Sequence, residues 1–339
     1  MQLLRPTDPW HPEVKNKLFA SRSSQSALRN ASRLKRLITK ALTVLKRREY
    51  ARAYVEIGAA LQSYHWSSAL HYCAGYAARK LGEFTLAQSH FAHVSNRNVL
   101  DALAAQEMMT LMYQMGRFQE LSAFARCRLL DQEEAESYYV LGVVYQLHQQ
   151  ITNAQSAFEG ALRCAHRDSP DHITYRLALS HCLYTQRHYA KALEYLSATE
   201  AGDHEEIQLW LLTGRCQFRL ERRSEGEAAL KRALKIDSSN ILVHITYGDE
   251  LHKTQPRRAL KHYLKSIQRH QAPPVIYQRI ATLYERLGEL HQAIKYLETY
   301  RHFLEFEQIE PITEQIERLR RRLERSSARP WYKRLYERR

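Results

Sequence analysis

Apolar residues recur along most of the chain three, four and seven positions apart, the spacing that places them on one face of an α-helix. Strong helix formers dominate the same segments, and no stretch alternates apolar and polar residues as a half-buried strand does. The chain has 339 residues, 44% of them hydrophobic, which is enough for a large core. The pattern predicts an all-α protein, and the length favours an elongated or repetitive architecture.

A small residue recurs inside similar surroundings at a nearly constant interval. The interval is 33 or 34 residues except once, where it is 38, and a leucine takes the place of the small residue in one degenerate copy. The eight landmark positions are Ala53, Ala87, Leu121, Ala154, Ala192, Gly226, Ala259 and Ala293. Self-similarity at this period indicates a stack of similar helical units.

The residues around the landmarks predict what each unit is. An apolar or aromatic residue follows every landmark by four positions, and a small residue such as Gly142 or Gly214 precedes most landmarks by eleven or twelve. Three copies also have glycine five positions before the landmark, at Gly82, Gly116 and Gly288. We expect pairs of antiparallel helices that approach closely where the small residues meet. The turn glycine should end the first helix in the left-handed conformation.

Two copies carry most of a known consensus. The residues concerned are Tyr138, Leu141, Gly142, Tyr145, Ala154, Phe158 and Ala161 in one copy, and Trp210, Gly214, Leu230 and Ala233 in the other. In these residues the chain resembles the tetratricopeptide repeat family, whose pattern is W-x2-L-G-x2-Y, then G-x-Y/F-x2-A and F-x2-A. The resemblance covers about residues 34–306 and implies a right-handed α-solenoid of some eight helix-turn-helix repeats. The departures are Met109 and Arg128 in place of small residues, a repeat shortened at Pro256, and a lengthening linker at 163–172.

The resemblance also implies a way of binding, because family members generally hold peptide segments of partners in a concave groove lined by the first helix of each pair. The groove would be aromatic in its N-terminal half and more cationic in its C-terminal half, which suits a peptide or helix with apolar anchors and acidic residues. Transferred by offset from the landmarks, the candidate groove residues are Tyr72, Tyr76, Arg79, Tyr113, Tyr139, His181, Tyr184, Arg215, Phe218, Arg219, Arg279 and Arg286. Burial of several of these tyrosines between repeats is the alternative.

The net charge of +15 lies mainly at the two ends of the chain. Residues 14–48 contain eleven Lys and Arg and no Asp or Glu, residues 318–339 contain ten against two, and the remainder is slightly acidic. In register with the repeat, residues 34–46 predict a first helix with Leu34, Ile38 and Leu45 on its apolar face and Lys35 and Lys40 in solvent. A mitochondrial transit-like segment and a nucleic-acid arm are the two alternatives for this basic run.

Beyond the last repeat, apolar residues at alternating spacings of three and four predict one more helix, with Pro311 in its first turn. We expect this helix to cap the final repeat, and a short coiled coil is the alternative. The tail then interleaves aromatic and basic residues: Arg329, Trp331, Tyr332, Lys333, Arg334 and Tyr336. Three roles suit such a tail: contact with RNA, docking to an acidic protein or membrane surface, and a disordered solubilising extension.

The sequence offers little for catalysis or metal binding. The five cysteines show no CxxC spacing, the seventeen histidines include only the pair His90 and His93 at a ligand-like interval, and surface positions explain them. No phosphate-binding glycine loop or nucleophile motif is present. We therefore expect a protein that is not an enzyme and has no cofactor or metal. We also expect no membrane span and a cytoplasmic location, with nuclear or mitochondrial as alternatives.

Four segments follow from these observations: a partly disordered basic segment at 1–33, a superhelix of repeats at 34–306, a capping helix at 307–325 and a basic aromatic tail at 326–339. The leading hypothesis is a scaffold or adaptor that binds a partner protein within a multiprotein assembly. The alternatives are a ribonucleoprotein subunit whose basic termini contact RNA, and a structural protein that forms homo-oligomers.

Overall fold

The computed structural model describes residues 8–10, 12–20, 28–94, 100–166, 171–197, 206–268 and 272–327, and within these ranges it contains eighteen helices and no strand. The helices are α1 (Pro12–Ala20), α2 (Leu28–Lys46), α3 (Tyr50–Ser63), α4 (Ser68–Leu81), α5 (Phe84–Ala92), α6 (Asp101–Gln114), α7 (Phe118–Asp131), α8 (Ala135–Leu147), α9 (Ile151–Cys164), α10 (Asp171–Thr185), α11 (Tyr189–Ser197), α12 (Ile207–Arg219), α13 (Arg223–Ile236), α14 (Ile241–Leu251), α15 (Pro256–Ile267), α16 (Val275–Arg286), α17 (Leu290–Arg301) and α18 (Phe306–Ser327). The chain divides into two compact units, unit 1 to Cys182 and unit 2 from Leu183. The predicted all-α solenoid of helix-turn-helix repeats is confirmed.

Each repeat consists of an even-numbered helix, here called helix A, and the following odd-numbered helix, helix B. In four repeats the two helices touch where a glycine of helix A faces a large residue of helix B. A Cβ atom on Gly75 would lie 2.8 Å from the Phe91 ring, and one on Gly142 would lie 2.5 Å from the Phe158 ring. Both phenylalanines are almost fully buried. The predicted close approach of the two helices is therefore confirmed, and the aromatic ring fills the space that the glycine leaves.

The turn between the two helices keeps one backbone geometry in seven of the eight repeats. Gly82, Gly116 and Gly288 have φ values of 84°, 71° and 80°, as the sequence predicts. Four other repeats place Arg48, Gln149, Arg187 and Glu221 at the same position with φ between 59° and 64°. In all seven, the next residue donates its backbone N–H to the carbonyl five residues earlier, as Glu83 does to Ala78 at 2.9 Å. This is the Schellman motif, and it forms here whether or not glycine is present.

The degenerate copy compensates for its departures. Met109 is buried in unit 1. Arg128, which replaces an alanine of the consensus, donates to Asp101 at 2.9 Å and to Glu134 at 2.5 Å. These hydrogen bonds raise the pKa of Arg128 above its ordinary value, although partial burial opposes them. An arginine thus joins two successive repeats where the consensus packs a small apolar residue.

Helical structure begins earlier than the predicted boundary at residue 34. Helix α1 and the first six residues of α2 lie within the segment 1–33, which the sequence assigned to a partly disordered region. The basic run itself fits the first repeat as predicted: Ile38, Leu42 and Leu45 are buried, whereas Lys35 and Lys40 are exposed. Most of the acid-free stretch that the structure describes is therefore the solvated face of a repeat helix.

Helix α18 packs against α17 and covers the end of unit 2. Its residues Ile312, Ile316 and Leu319 are 8%, 1% and 0% exposed and join the core that α17 contributes to. Because this seam is already buried within the chain, it is not available for a coiled coil. The sequence predicted Pro311 in the first turn of this helix. The helix begins at Phe306, so Pro311 lies in its second turn instead. None of the helices in the described ranges is long and apolar enough to span a bilayer.

Candidate functional site

The twelve predicted groove residues all lie on helices A, but they differ widely in exposure. Tyr72, Tyr76 and Tyr139 are at most 2% exposed. Tyr72 packs against Phe91 with ring centroids 5.7 Å apart, and Tyr139 packs against Phe158 at 5.6 Å. Burial raises the pKa of Tyr139 to about 12. These three residues cannot form an open surface, because they fill the space between helices A and B or are covered by other parts of the chain.

Tyr76 is covered by the beginning of the chain. Its hydroxyl donates to Asp8 Oδ1 at 2.6 Å, and the Trp10 ring meets its ring edge-on with centroids 5.7 Å apart. Burial and the neighbouring carboxylate together raise the pKa of Tyr76 above its ordinary value. The repeat pattern does not predict this contact, because Asp8 and Trp10 precede the repeats and yet lie on a predicted binding position.

Arg79, the third predicted residue of this repeat, is part of a buried ion pair. Its Nε atom lies 2.8 Å from Glu107 Oε2 on the next helix A, and the two side chains are only 9% and 4% exposed. The guanidinium also lies 5.4 Å from the centre of the Tyr76 ring. Because both charged groups are removed from water, each depends on the other to offset its loss of hydration. Arg79 therefore connects α4 to α6 and is not a surface contact.

The two remaining candidates of unit 1 are partly accessible. Tyr113 is half-buried and meets Phe118 edge-on with centroids 5.8 Å apart. His181 is exposed, and its Nδ1 atom lies 3.1 Å from the side-chain amide of Gln146 one repeat earlier. These residues do not form one cluster with Tyr76.

Unit 2 brings several predicted residues together on one surface. The Arg215 guanidinium lies 4.5 Å from the centre of the Tyr184 ring, a cation–π distance, and Arg219 Nε donates to the Tyr184 hydroxyl at 3.3 Å. Arg219 also pairs with Glu250 at 3.3 Å. We call Tyr184, Arg215, Arg219 and Glu250 the arginine–tyrosine cluster. It joins the last turn of α10 to α12 and α14.

The electrostatics of this cluster favour positive charge at its surface. Glu250 is mostly shielded from water, and burial raises its pKa even though Arg219 and Arg215 oppose the shift. The side chain of Arg219 is 47% exposed, and the hydrogen bond that it donates to the Tyr184 hydroxyl is the main cause of its raised pKa. Arg219 pairs with the largely buried Glu250 carboxylate, and Arg215 acts on it electrostatically. Two positive charges near one carboxylate leave excess positive charge beside the half-buried Tyr184 ring.

The other arginines of unit 2 are used to connect neighbouring repeats. Arg279 pairs with Asp249, which also accepts a hydrogen bond from the Tyr263 hydroxyl at 2.6 Å. Arg286 donates to the backbone carbonyls of His252 and Lys253 at 2.9 and 3.0 Å. The charges of Arg279 and Arg286 therefore already have partners within the chain.

Phe218 faces a different direction from the one predicted. A Cβ atom on Gly226 would lie 2.7 Å from its ring, so Phe218 covers the glycine landmark of its own repeat. It also packs against the unit 2 core. Phe218 belongs to the contact between α12 and α13, and the arginine–tyrosine cluster does not include it.

Two histidine pairs are the features that the sequence analysis missed. His71 Nδ1 lies 3.1 Å from His90 Nδ1 in unit 1, and His244 Nδ1 lies 3.0 Å from His262 Nδ1 in unit 2. The pairs occupy equivalent repeat positions, four residues before the helix A glycine and three after the landmark. Burial lowers the pKa of all four rings, to about 4 for His90 and His262. The prediction of surface histidines is wrong for these pairs, which pack between helices A and B.

The hydrogen bonds fix the direction of each pair. His71 Nε2 lies 2.8 Å from the His65 carbonyl oxygen, which can only accept, so the ring carries its proton there and its Nδ1 accepts from His90. The Tyr54 hydroxyl lies 3.2 Å from His90 Nε2 and completes the chain. In unit 2, His244 Nε2 lies 3.1 Å from the Ser238 carbonyl oxygen in the same way. Both pairs are therefore hydrogen bonded as neutral rings, with His71 and His244 as the acceptors.

Neither pair has a third ligand, and no group of three metal-ligating side chains occurs in the part of the chain that the structure describes.

All five cysteines are free thiols, and burial raises the pKa of Cys73 to about 12, which makes it a poor nucleophile. The aromatic and basic tail residues Arg329 to Tyr336 lie outside the described residues.

Comparisons with known proteins agree with this architecture. Two family profiles match the sequence, one described as anaphase-promoting complex, cyclosome, subunit 3 over residues 148–233, and one described as tetratricopeptide repeat over residues 274–300. No curated protein matches the sequence.

Solved structures with the same fold include PilW, a widely conserved type IV pilus biogenesis factor, at 16% identity and a TM-score of 0.56, covering 64% of this chain and 99% of PilW. A tetratricopeptide repeat protein from Parabacteroides merdae ATCC 43184 is 12% identical, with a TM-score of 0.55 over 72% of this chain and 96% of the other. A chain of the anaphase-promoting complex hetero-tetramer Cut9–Hcn1 is 13% identical, with a TM-score of 0.55 over 91% of this chain and 58% of the other. At these identities the likeness concerns the fold.

Proposed function

We propose that this tetratricopeptide repeat chain is a protein-interaction scaffold that holds a segment of a partner protein on the helix A surface of unit 2. The arginine–tyrosine cluster carries this proposal. In this cluster, predicted groove residues from successive repeats bring one aromatic ring and two guanidinium groups together. Arg219 is exposed, and Tyr184 and Arg215 are half-buried.

The chemistry of the cluster specifies the partner segment. Arg215 and Arg219 suit a carboxylate, because a guanidinium binds carboxylate oxygens through paired N–H donors. The accessible part of the Tyr184 ring suits an apolar or aromatic side chain next to that carboxylate. We therefore expect a peptide or helix with an acidic residue beside an apolar anchor, recognised within a multiprotein assembly. The match to a subunit of the anaphase-promoting complex supports an assembly role of this kind.

The chain offers a matched control for testing this surface. Arg232 on α13 lies 4.6 Å from the Trp210 ring, so it makes the same cation–π contact as Arg215 but on helix B. Replacing each arginine by glutamate changes the charge by the same amount and removes the same type of contact. Only Arg215→Glu alters the arginine–tyrosine cluster.

The experiment selects a random 16-residue phage-display library against the wild-type full-length chain. We expect enriched peptides that combine an acidic residue with an apolar one. They should bind Arg215→Glu at least ten-fold more weakly than the wild type and Arg232→Glu equally well. Unchanged binding to Arg215→Glu would refute the proposal, provided circular dichroism shows both variants folded. Proteins that co-purify with the tagged chain should survive nuclease treatment, whereas their loss would favour an RNA-linked role.

A further inference from the structure

Residues 8–10 and 12–18 lie on the helix A surface of unit 1, and we call these residues the N-terminal segment. Its polar contact is the hydrogen bond from the Tyr76 hydroxyl to Asp8 Oδ1 at 2.6 Å. Its aromatic contact is Trp10, whose ring stands at 84° to the Tyr76 ring. Tyr76 is fully buried under these two residues, although its repeat position is one that the family resemblance assigns to partner binding.

The apolar contacts of the segment come from one face of α1. Val14 and Leu18 are four residues apart, are 5% and 1% exposed, and belong to the same core as the buried residues of α2 and α4. Lys15, Asn16 and Lys17, between them, are exposed. The segment thus contacts unit 1 as an amphipathic helix contacts a groove, with apolar anchors at helical spacing.

The surroundings of Tyr76 favour an acidic residue at the position of Asp8. The Lys80 ammonium lies 5.3 Å from the centre of the Tyr76 ring, and the Arg79 guanidinium lies 5.4 Å from it. The Arg79 charge is paired with Glu107, whereas the Lys80 side chain is exposed. A carboxylate here accepts a hydrogen bond from tyrosine in a locally positive environment.

We propose that this surface of unit 1 is a second binding site, for a partner segment with the pattern acidic–x–Trp–x3–aliphatic–x3–aliphatic, and that the N-terminal segment occupies the site until such a partner displaces it. Each position of the pattern corresponds to an observed contact: Asp8 with the Tyr76 hydroxyl, Trp10 with the Tyr76 ring, and Val14 and Leu18 with the core. The proposal is independent of the arginine–tyrosine cluster, which lies in unit 2.

The size of the segment makes exchange feasible. Helix α1 has nine residues, and isolated helices shorter than about 12–15 residues are marginal in water, so its order depends on these few contacts. However, the N-terminal segment is tethered to the site, so it competes with a free peptide at an effective concentration on the order of millimolar. A free peptide should therefore bind the wild type poorly and bind well once the tethered contacts are weakened.

The experiment measures binding of a fluorescein-labelled synthetic peptide of residues 5–20 to the full-length chain by fluorescence anisotropy. The double variant Asp8→Asn/Trp10→Ala weakens the tethered segment, and Lys15→Ala is the control, because its side chain is exposed. We expect the double variant to bind at least ten-fold more tightly than the wild type or the control. Adding Tyr76→Phe should reverse most of this gain, as should an Asp→Asn change in the peptide.

Equal affinity of the wild type and the double variant would overturn the proposal. If the double variant does not fold, Asp8→Asn alone gives the same comparison, since it keeps the shape of the side chain and removes its charge. Light scattering tests whether a second copy of the chain occupies the site. If the wild type is a dimer and Trp10→Ala converts it to a monomer, copies exchange their N-terminal segments. That result would overturn the partner-segment proposal.

Discussion

Acidification below about pH 6.5 should destabilise the protein through its two histidine pairs. In each pair one ring accepts the proton of the other, at 3.1 Å between His71 and His90 and at 3.0 Å between His244 and His262. Burial is the main reason that the pKa of His90 and His262 is lowered to about 4. In the unfolded chain a histidine has a pKa of about 6.5.

The sign and the size of the effect follow from this difference. Between about pH 6.5 and pH 4 the unfolded chain binds more protons than the folded chain, so the free energy of unfolding falls as the pH is lowered. The stabilising contribution is complete above about pH 6.5 and is lost near pH 4. A pKa difference of about 2.5 corresponds to about 3.4 kcal/mol, and solvent screening at these half-buried rings reduces this to about 1–2 kcal/mol for each histidine. Lys265, Arg258 and Lys261 add repulsion to a charged His262.

Urea denaturation followed by circular dichroism at pH 7.5, 6.5, 5.5 and 4.5 measures this contribution. His262→Gln keeps a donor for His244 and does not titrate, and His188→Gln is the control, because the His188 side chain is exposed. We expect the wild type and the control to lose about 1–2 kcal/mol more than His262→Gln between pH 6.5 and 4.5. The reasoning would be refuted if all three proteins lost stability in parallel over this range.

Four substitutions test the packing of the repeats by thermal or urea denaturation. Gly142→Ala should destabilise by about 1–3 kcal/mol, because its Cβ atom would lie 2.5 Å from an aromatic ring, whereas Gly58→Ala, with open space around the added atom, should stabilise by about 0.5–1 kcal/mol. Equal effects of the two changes would contradict the role of close packing. Glu221→Gly should stabilise by about 0.5–1 kcal/mol, because φ is 62° at this residue, and a loss of stability would show that the turn carries no strain. Arg79→Met should destabilise by about 3–5 kcal/mol at pH 7, because it leaves the Glu107 carboxylate buried without its partner, and an unchanged midpoint would show that water replaces the arginine.

The sequence determined the fold to a large extent. Helical periodicity and the landmark interval depend on local geometry and on nearest-neighbour packing, which a repeat protein satisfies again in each copy. The glycines of helices A and the large residues of helices B could therefore be matched before the structure was known, as at Gly75 and Phe91. The left-handed turn was predicted only where glycine marks it, since Arg187 and Glu221 give no local signal for φ above 0°.

Tertiary structure alone decided which predicted site residues reach the surface. The repeat pattern makes both Tyr76 and Tyr184 candidates for the groove, but Asp8 and Trp10 cover the first, whereas the second stays partly exposed beside Arg215. The histidine pairs likewise join residues 18 or 19 positions apart on different helices. A repeat pattern specifies the position of a residue within its own unit. Which side chains from outside that unit cover it depends on contacts between distant parts of the chain, and periodicity contains no information about them.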